Sequence, residues 1–418
     1  MPTISASTTD QTAEIQAAID AASGGGKVVL AAGEHPSGAL RLRDGIELHL
    51  EACAVLRLTA DYGALAGNIV SVIAEGSDRG LIVAQGVSGI AITGAGEIAA
   101  PGRAYIAGDD PEVGTWVPAT LRPRVLVLED CTDVEISGVR ITDSPMWTMH
   151  LVNCRDVRVK GVKVENDRRL PNTDGLVIDS CHDVLVEGVD ISTADDGVCL
   201  KTTRRATGIG TCERVTVRNC RVSSQSCALK IGTESFGDVT DIVFEDCAVL
   251  DSNRGLGIFS RDGGAIRNVR FSRISLECHE TPDGYWGSGE GLTVTVVDRR
   301  AELPAGAVQG LVVEDITGVM EGTLNLVSTA APIADVTLRR IALRQVAGEL
   351  GTARRYDLRP TPADLAPAAG AAGRANAWTK GADGVVVGLV DYPGGAMPGV
   401  FASRVEGLAM DGVVVQRA

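Results

Sequence analysis

Aromatic residues are scarce in this chain, at 3% of 418 residues, and Val, Ile and Leu in short runs among 50 glycines take their place. That composition points away from helices and toward an all-β chain dense in turns. Positive charge is short as well: the formal net charge is −15. With nothing to neutralise phosphates, no nucleic-acid or anionic-membrane partner is expected. No apolar run approaches the roughly 18 residues that cross a bilayer. No Pro/Ser-rich linker or run of like charge divides the chain, so residues 1–418 read as one elongated repeat domain. The opening Met1-Pro2-Thr3-Ile4-Ser5 lacks the basic and apolar regions of a secretory signal. This suggests a cytoplasmic protein, or a secreted or periplasmic one whose chain begins after a removed signal. The ten cysteines show no C-x-x-C spacing, which argues against a zinc site. Cys131, Cys154, Cys181, Cys220 and Cys247 recur at one place in the pattern, as unpaired thiols stacked in a buried column would, favouring a reducing compartment.

What is present is repetition. Ile15, Ala18, Ile19 and Ala22 stand at helical spacing before Gly24-Gly25-Gly26, which predicts a helix within residues 1–26 that caps the open end of a stack. Coils are expected over about 27–345, beginning with short strands at Lys27–Leu30 and Ile46–Leu50. Cys131-Thr132-Asp133-Val134, Cys154-Arg155-Asp156-Val157 and Cys181-His182-Asp183-Val184 are copies of one unit, 23 and 27 residues apart. A period of this size with strands and no intervening helices is the mark of a solenoid, read here as a parallel β-helix with one coil per repeat. About 346–418 reads as an irregular C-terminal region with final strands.

Two stretches concentrate the chemistry. Asn172-Thr173-Asp174-Gly175 precedes the apolar pair Leu176/Ile178, and Asp195-Asp196-Gly197 precedes Val198/Leu200. Aligning these pairs with Met149/Leu151, Leu229/Ile231 and Leu256/Ile258 puts His150, Val177, Cys199, Lys230 and Gly257 in one outward column. A second column, two residues before each pair, holds Trp147, Asp174, Asp196, Cys227 and Arg254. Asp-Gly steps alone are ordinary turn chemistry. In this register, however, three carboxylates meet on two adjacent coils, where mutual repulsion should raise at least one pKa. One acid to protonate a leaving oxygen and another to activate water is what hydrolysis of a glycosidic bond requires.

Ser144-Pro145-Met146-Trp147, Asn172-Thr173-Asp174-Gly175, Asp195-Asp196-Gly197 and Lys201 together resemble the polygalacturonase family, glycoside hydrolase family 28. The likeness runs from near Gly24 to about Arg300. It implies a right-handed parallel β-helix, inverting single displacement and no metal or other cofactor. It also implies an oligosaccharide or polysaccharide substrate, with Asp195 as general acid and Asp174 and Asp196 positioning and deprotonating water. Two departures stand out. Ser226-Cys227-Ala228 occupies the place of the family's Gly-His-Gly, and Gly257-Ile258-Phe259 that of its Arg-Ile-Lys. Either Lys201 and Lys230 supply substitute charge, or the substrate is a neutral sugar.

Candidate substrate-binding residues are His150, Asn172, Lys201 and Lys230, the arginines Arg254 and Arg261 flanking the fourth coil, and Tyr285 and Trp286 as a stacking platform. Loops able to close the groove motivate an exo-acting reading. Two alternatives stay open: a lyase or epimerase using Ca²⁺ held by the aspartates, and a carbohydrate-binding solenoid without activity. Oligomeric state is not legible.

Overall fold

Alternating apolar residues bury one face of each short strand, and the strands find parallel partners one coil before and one coil after. The structure, a computed structural model, describes residues 2–74, 76–111, 114–281, 286–359, 361 and 380–418. The chain is a right-handed parallel β-helix. One side of the coil is a 12-stranded sheet. Its parallel rungs, in chain order, are β1 (Leu40–Arg41), β2 (Ser77–Gln85), β3 (Arg124–Glu129), β4 (Met149–Val152), β5 (Leu176–Asp179) and β6 (Val198–Thr202). They continue as β7 (Cys227–Ser235), β8 (Arg254–Ser260), β9 (Leu292–Val296), β10 (Leu324–Ser328) and β11 (Val400–Ser403). The other sides form a 21-stranded sheet, whose last rung is Val405–Arg417.

Register is held by stacked apolar columns. Leu126, Met149, Leu176, Val198, Leu229 and Leu256 pair in succession, and each is essentially inaccessible to solvent. Burial of each such side chain favours the fold by about 1.5–3 kcal/mol. Slipping one residue would turn the whole column outward.

The recurring Asp-Val unit has a backbone cause. Asp133, Asp156, Asp183, Asp241 and Asn268 all lie in the left-handed region, with φ of 53 to 59°, one per coil where the chain turns into a strand. Asp and Asn tolerate that conformation better than most residues because their short polar side chains can bond to nearby backbone.

The cysteines form two columns, not one. Cys131, Cys154, Cys181 and Cys212 stand in register at the start of successive strands. Cys220 and Cys247 stack at a different corner. All six are free and buried. The spacing of Cys220 misleads because it lies eight residues after Cys212 in the same coil.

At the N-terminal end, helix α1 (Thr12–Ala21) lays Ile15 and Ile19 onto the first coils, with both side chains fully buried in the continuous core. Thr3–Ile4 adds a short rung beside Lys27–Leu30.

Candidate active site

The column carrying the aspartates is fixed by backbone bonds. Thr148 N donates to Asp174 O, Gly175 N to Asp196 O, and Gly197 N to Cys227 O, at 2.8 to 2.9 Å. Cys227 then pairs with Arg254. In the neighbouring column His150, Val177, Cys199, Lys230 and Gly257 follow one another in register. Gly175 and Gly197 are required by close approach. A Cβ on Gly175 would lie 2.7 Å from Gly197 O and 2.5 Å from Ile191 Cγ2, and one on Gly197 only 2.6 Å from Ala228 O. The Asp-Gly steps are therefore contacts between coils, with the aspartate before each glycine left at the edge of the sheet.

The three carboxylates have different surroundings. Asp196, 2% exposed, accepts Lys230 Nζ at 2.6 Å on Oδ2 and Ser226 Oγ at 3.1 Å on Oδ1. Asp195 is half-buried; its oxygens accept Asp196 N at 3.0 Å and Asn172 N at 3.2 Å. Its carbonyl is clamped by Thr193 Oγ1 and Ser224 Oγ. Asp174, also 2% exposed, keeps a buried Oδ1 without a hydrogen-bond partner among the described residues. Burial pushes the carboxyls of both Asp174 and Asp195 above the ordinary range, and neighbouring aspartates push them further, against the pull of Lys201 and Lys230.

The cations beside them are engaged. Burial draws Lys230 toward neutrality, but Asp196, together with Cys199 and Asp195, holds the ammonium above its usual pKa. Lys201, likewise raised against burial, bonds Glu234 Oε2 at 2.9 Å and lies 4.5 Å above the Trp147 ring. Arg254 pairs with Asp357 at 2.6 Å, a residue 103 positions away. Arg261 is fully buried and donates to Thr295 Oγ1 and to the carbonyls of Ser260, Thr295, Leu358 and Arg359. Cys227 is buried, with burial and then Asp196 pushing its thiol up to about 12, so it packs as a neutral group. The space above Gly257 is filled by the Phe259 ring, 2.6 Å from where a Cβ would stand.

Both ends of the face are covered. Ile69–Ala74 folds back antiparallel on β2, and its Val70 packs on Val83 and Val127. Its Ala74 joins Met146, Trp147 and Val177. Toward β11, Tyr356 and Tyr392 both contact Phe401, and Tyr392 donates its hydroxyl to Asn325 at 2.6 Å.

This cover corrects the reading of His150 as a groove residue. It does occupy the outward column, yet it is inaccessible to solvent. Its Nδ1 accepts from Arg124 Nη1 at 2.9 Å, which leaves the proton of the neutral ring on Nε2, 3.5 Å from Asp179 Oδ2. Burial lowers its pKa to about 4.

Arg254 and Arg261 are likewise sealed rather than facing an open cleft. Asn172 reaches the site through its backbone: its side chain accepts from the buried Arg122 at 2.8 Å. Trp286 is half-buried with Arg359 5.0 Å from its ring, and Tyr285 lies outside the described residues. Of the candidates, the structure gathers Asp174, Asp195, Asp196, Asn172, Lys201 and Lys230. Glu234, Ser226, Phe259 and Asp357 were missed. Ser226 and Phe259 border motifs already in view, whereas nothing local marks Asp357.

Residues 40–282 match a family profile described as Glycosyl hydrolases family 28. A Vitis vinifera protein named "Probable polygalacturonase" is 27% identical over 174 residues, covering 40% of this chain and 35% of that protein. The chain spans less than half the length of the curated relatives it matches. Among solved structures, a hyperthermoactive exopolygalacturonase from Thermotoga maritima superposes with a TM-score of 0.60 at 20% identity, over 83% of this chain and 87% of that one. A polygalacturonase from Erwinia carotovora ssp. carotovora gives 0.65 at 20% identity, over 82% and 92%. At these identities the likeness is one of fold.

Proposed function

The chain belongs to glycosyl hydrolases family 28, and from that premise we propose that it hydrolyses O-glycosidic bonds of pectin-derived or related oligosaccharides by single displacement with inversion, working from a chain end. The observation that carries this reading is the unequal environment of the carboxylates. Asp196 is bound to the Lys230 ammonium, while Asp195 is buried enough to be pushed toward its protonated form. An acid and a base held side by side in different protonation states are the requirement for protonating the leaving oxygen while activating water on the opposite face. Asp195 is the general acid; Asp196 takes the proton of the attacking water; Asp174, with its unpartnered Oδ1, orients that water.

The covers support working from an end. The outward column is roofed by Ile69–Ala74 on one side and by the Tyr356–Tyr392 cluster on the other. A lyase or epimerase would need a lysine or arginine to give up its proton near neutrality. Lys201 and Lys230 are both held above their usual pKa by carboxylates, which weighs against that chemistry.

The test is a broad oligosaccharide panel with Asp195→Asn as control, following product anomers by NMR. Inverted product at a rate reduced about 10²–10⁴-fold in the variant is expected. Retention in the first-formed product overturns the mechanism, and internal cleavage products appearing first overturn the exo assignment.

A further inference from the structure

Resting on that hydrolase reading of the same site, we propose that the sugar held against the three aspartates is uncharged: a hydroxyl-bearing ring without a carboxylate. The first argument is charge matching. A uronate needs a cation to receive it, because an unmatched carboxylate in a buried site loses its hydration with nothing in return. The cations that act on Asp174 and Asp195, Lys201 and Lys230, already have carboxylates. Lys230 holds Asp196, and Lys201 holds Glu234, with Arg299 also 3.6 Å from Glu234. Arg254 holds Asp357 and stands 3.8 Å from Glu290. Glu234 shows how complete the match is: burial works against its charge, yet Lys201 and Arg299 keep it far below the carboxylate range. Beyond them, exposed Arg204 stacks on Phe236 and belongs to the rim.

The second argument is the chemistry of what is left over. Following Lys230 and Gly257, the outward column continues through Thr293 and Asn325. Among the described residues, Thr293 Oγ1, Asn325 Nδ2 and Glu290 Oε1 are buried without hydrogen-bond partners, each on a residue about 1% exposed. Phe259 supplies an apolar ring over Gly257 in the same row. Hydroxyl, amide and carboxylate oxygen beside an aromatic face form a set that exchanges hydrogen bonds with sugar hydroxyls. Its donors, the Thr293 hydroxyl and the Asn325 amide, are neutral, and Glu290 is itself a carboxyl, so the set supplies no cation to a uronate.

The experiment compares matched ligands on the full chain. A galacturonate trisaccharide and its carboxyl-reduced galactose counterpart share linkage and configuration and differ in charge alone. They are titrated calorimetrically into Asp195→Asn, alongside neutral 6-deoxyhexose and pentose oligosaccharides, and incubated with wild type for turnover. A neutral member should bind at least about tenfold tighter than the uronide, the scale of one charged hydrogen bond left unmatched. Glu234→Gln, which releases Lys201, should narrow that gap by raising uronide affinity. Uronide binding as tight as or tighter than every neutral ligand overturns the proposal, as does failure of every neutral ligand to bind. A neutral ligand that binds without being cleaved by wild type sinks the hydrolase reading alone. Uronide cleaved with inversion in preference to neutral sugars keeps that reading and sinks this one.

Discussion

Rungs β5 and β6 and rungs β7 and β8 face the same way in one unbroken register, yet they carry opposite chemistry. The first pair presents carboxylates at the sheet edge, held by donors from nearby coils: Asn172 N, Ser226 Oγ and the Asp196 amide. The second presents Cys227, Lys230, Arg254 and Phe259, whose charges are answered by carboxylates from anywhere in the chain, Asp357 the farthest. In a solenoid the repeat dictates where each residue stands along the coil, whereas charge balance is made by whatever loops fold over the face. The acid half is under-compensated and the cationic half fully compensated, and that inequality separates a reactive edge from a structural wall.

Removing a carboxylate from each half tests the distinction most severely. Asp357 is fully buried between Arg254 and Arg359, and both arginines outweigh burial to hold it far below the usual carboxylate range. Asp357→Asn removes the carboxylate that bridges the buried Arg254 and Arg359 and should cost about 3–5 kcal/mol, seen as a large drop in denaturant midpoint. Asp174→Asn removes a carboxyl already pushed toward its neutral form, with one oxygen unpartnered. It should change stability by less than about 1 kcal/mol. Equal losses in the two variants would erase the difference between the halves.

The register of the acid half was legible because it depends on period-two alternation and short-range motif. Asp174, Asp196, Cys227 and Arg254 fall in one column in the sequence and in the structure alike. What the sequence did not reveal was cover. Ile69–Ala74 is antiparallel to the coils, so no repeat announces it, and it reaches the buried His150 through Arg124, which bonds both Val72 O and the ring. Asp357 sits in a stretch without periodicity, and its partners are fixed only once the loop is laid down.

That hidden cover has a pH signature. Folding lowers the pKa of His150 from 6.5 to about 4 through burial. The unfolded chain therefore binds its proton more readily, so the stability linked to His150 is whole above pH 6.5, declines as pH falls, and stops declining below about 4. The full loss is on the order of 3 kcal/mol. Equilibrium denaturation across this window should show a steeper slope for wild type than for His150→Gln. Superimposable slopes would mean that the ring protonates without opening the cover, and that this end of the face is wetter than its burial implies.

The smallest effect falls where the two halves touch, at Lys230 and Asp196. Lys230 belongs to the cationic half, but its ammonium serves the acid half, lying 2.6 Å from Asp196 and lowering the pKa values of both Asp174 and Asp195. Lys230→Met keeps the length of the side chain and removes the charge. Turnover should fall about 10–100-fold, the range of losing one charge-assisted contact of 1.5–3 kcal/mol. The pH profile separates this role from packing. Without the cation, Asp174 and Asp195 hold protons to higher pH, so the alkaline limb, set by ionisation of the acid, moves upward. The acid limb moves the same way as Asp174, which orients the water, becomes harder to ionise. A lowered rate with both limbs unmoved would make Lys230 a packing residue and confine the catalytic electrostatics to β5 and β6. A displaced profile would make the boundary between the halves part of the active site.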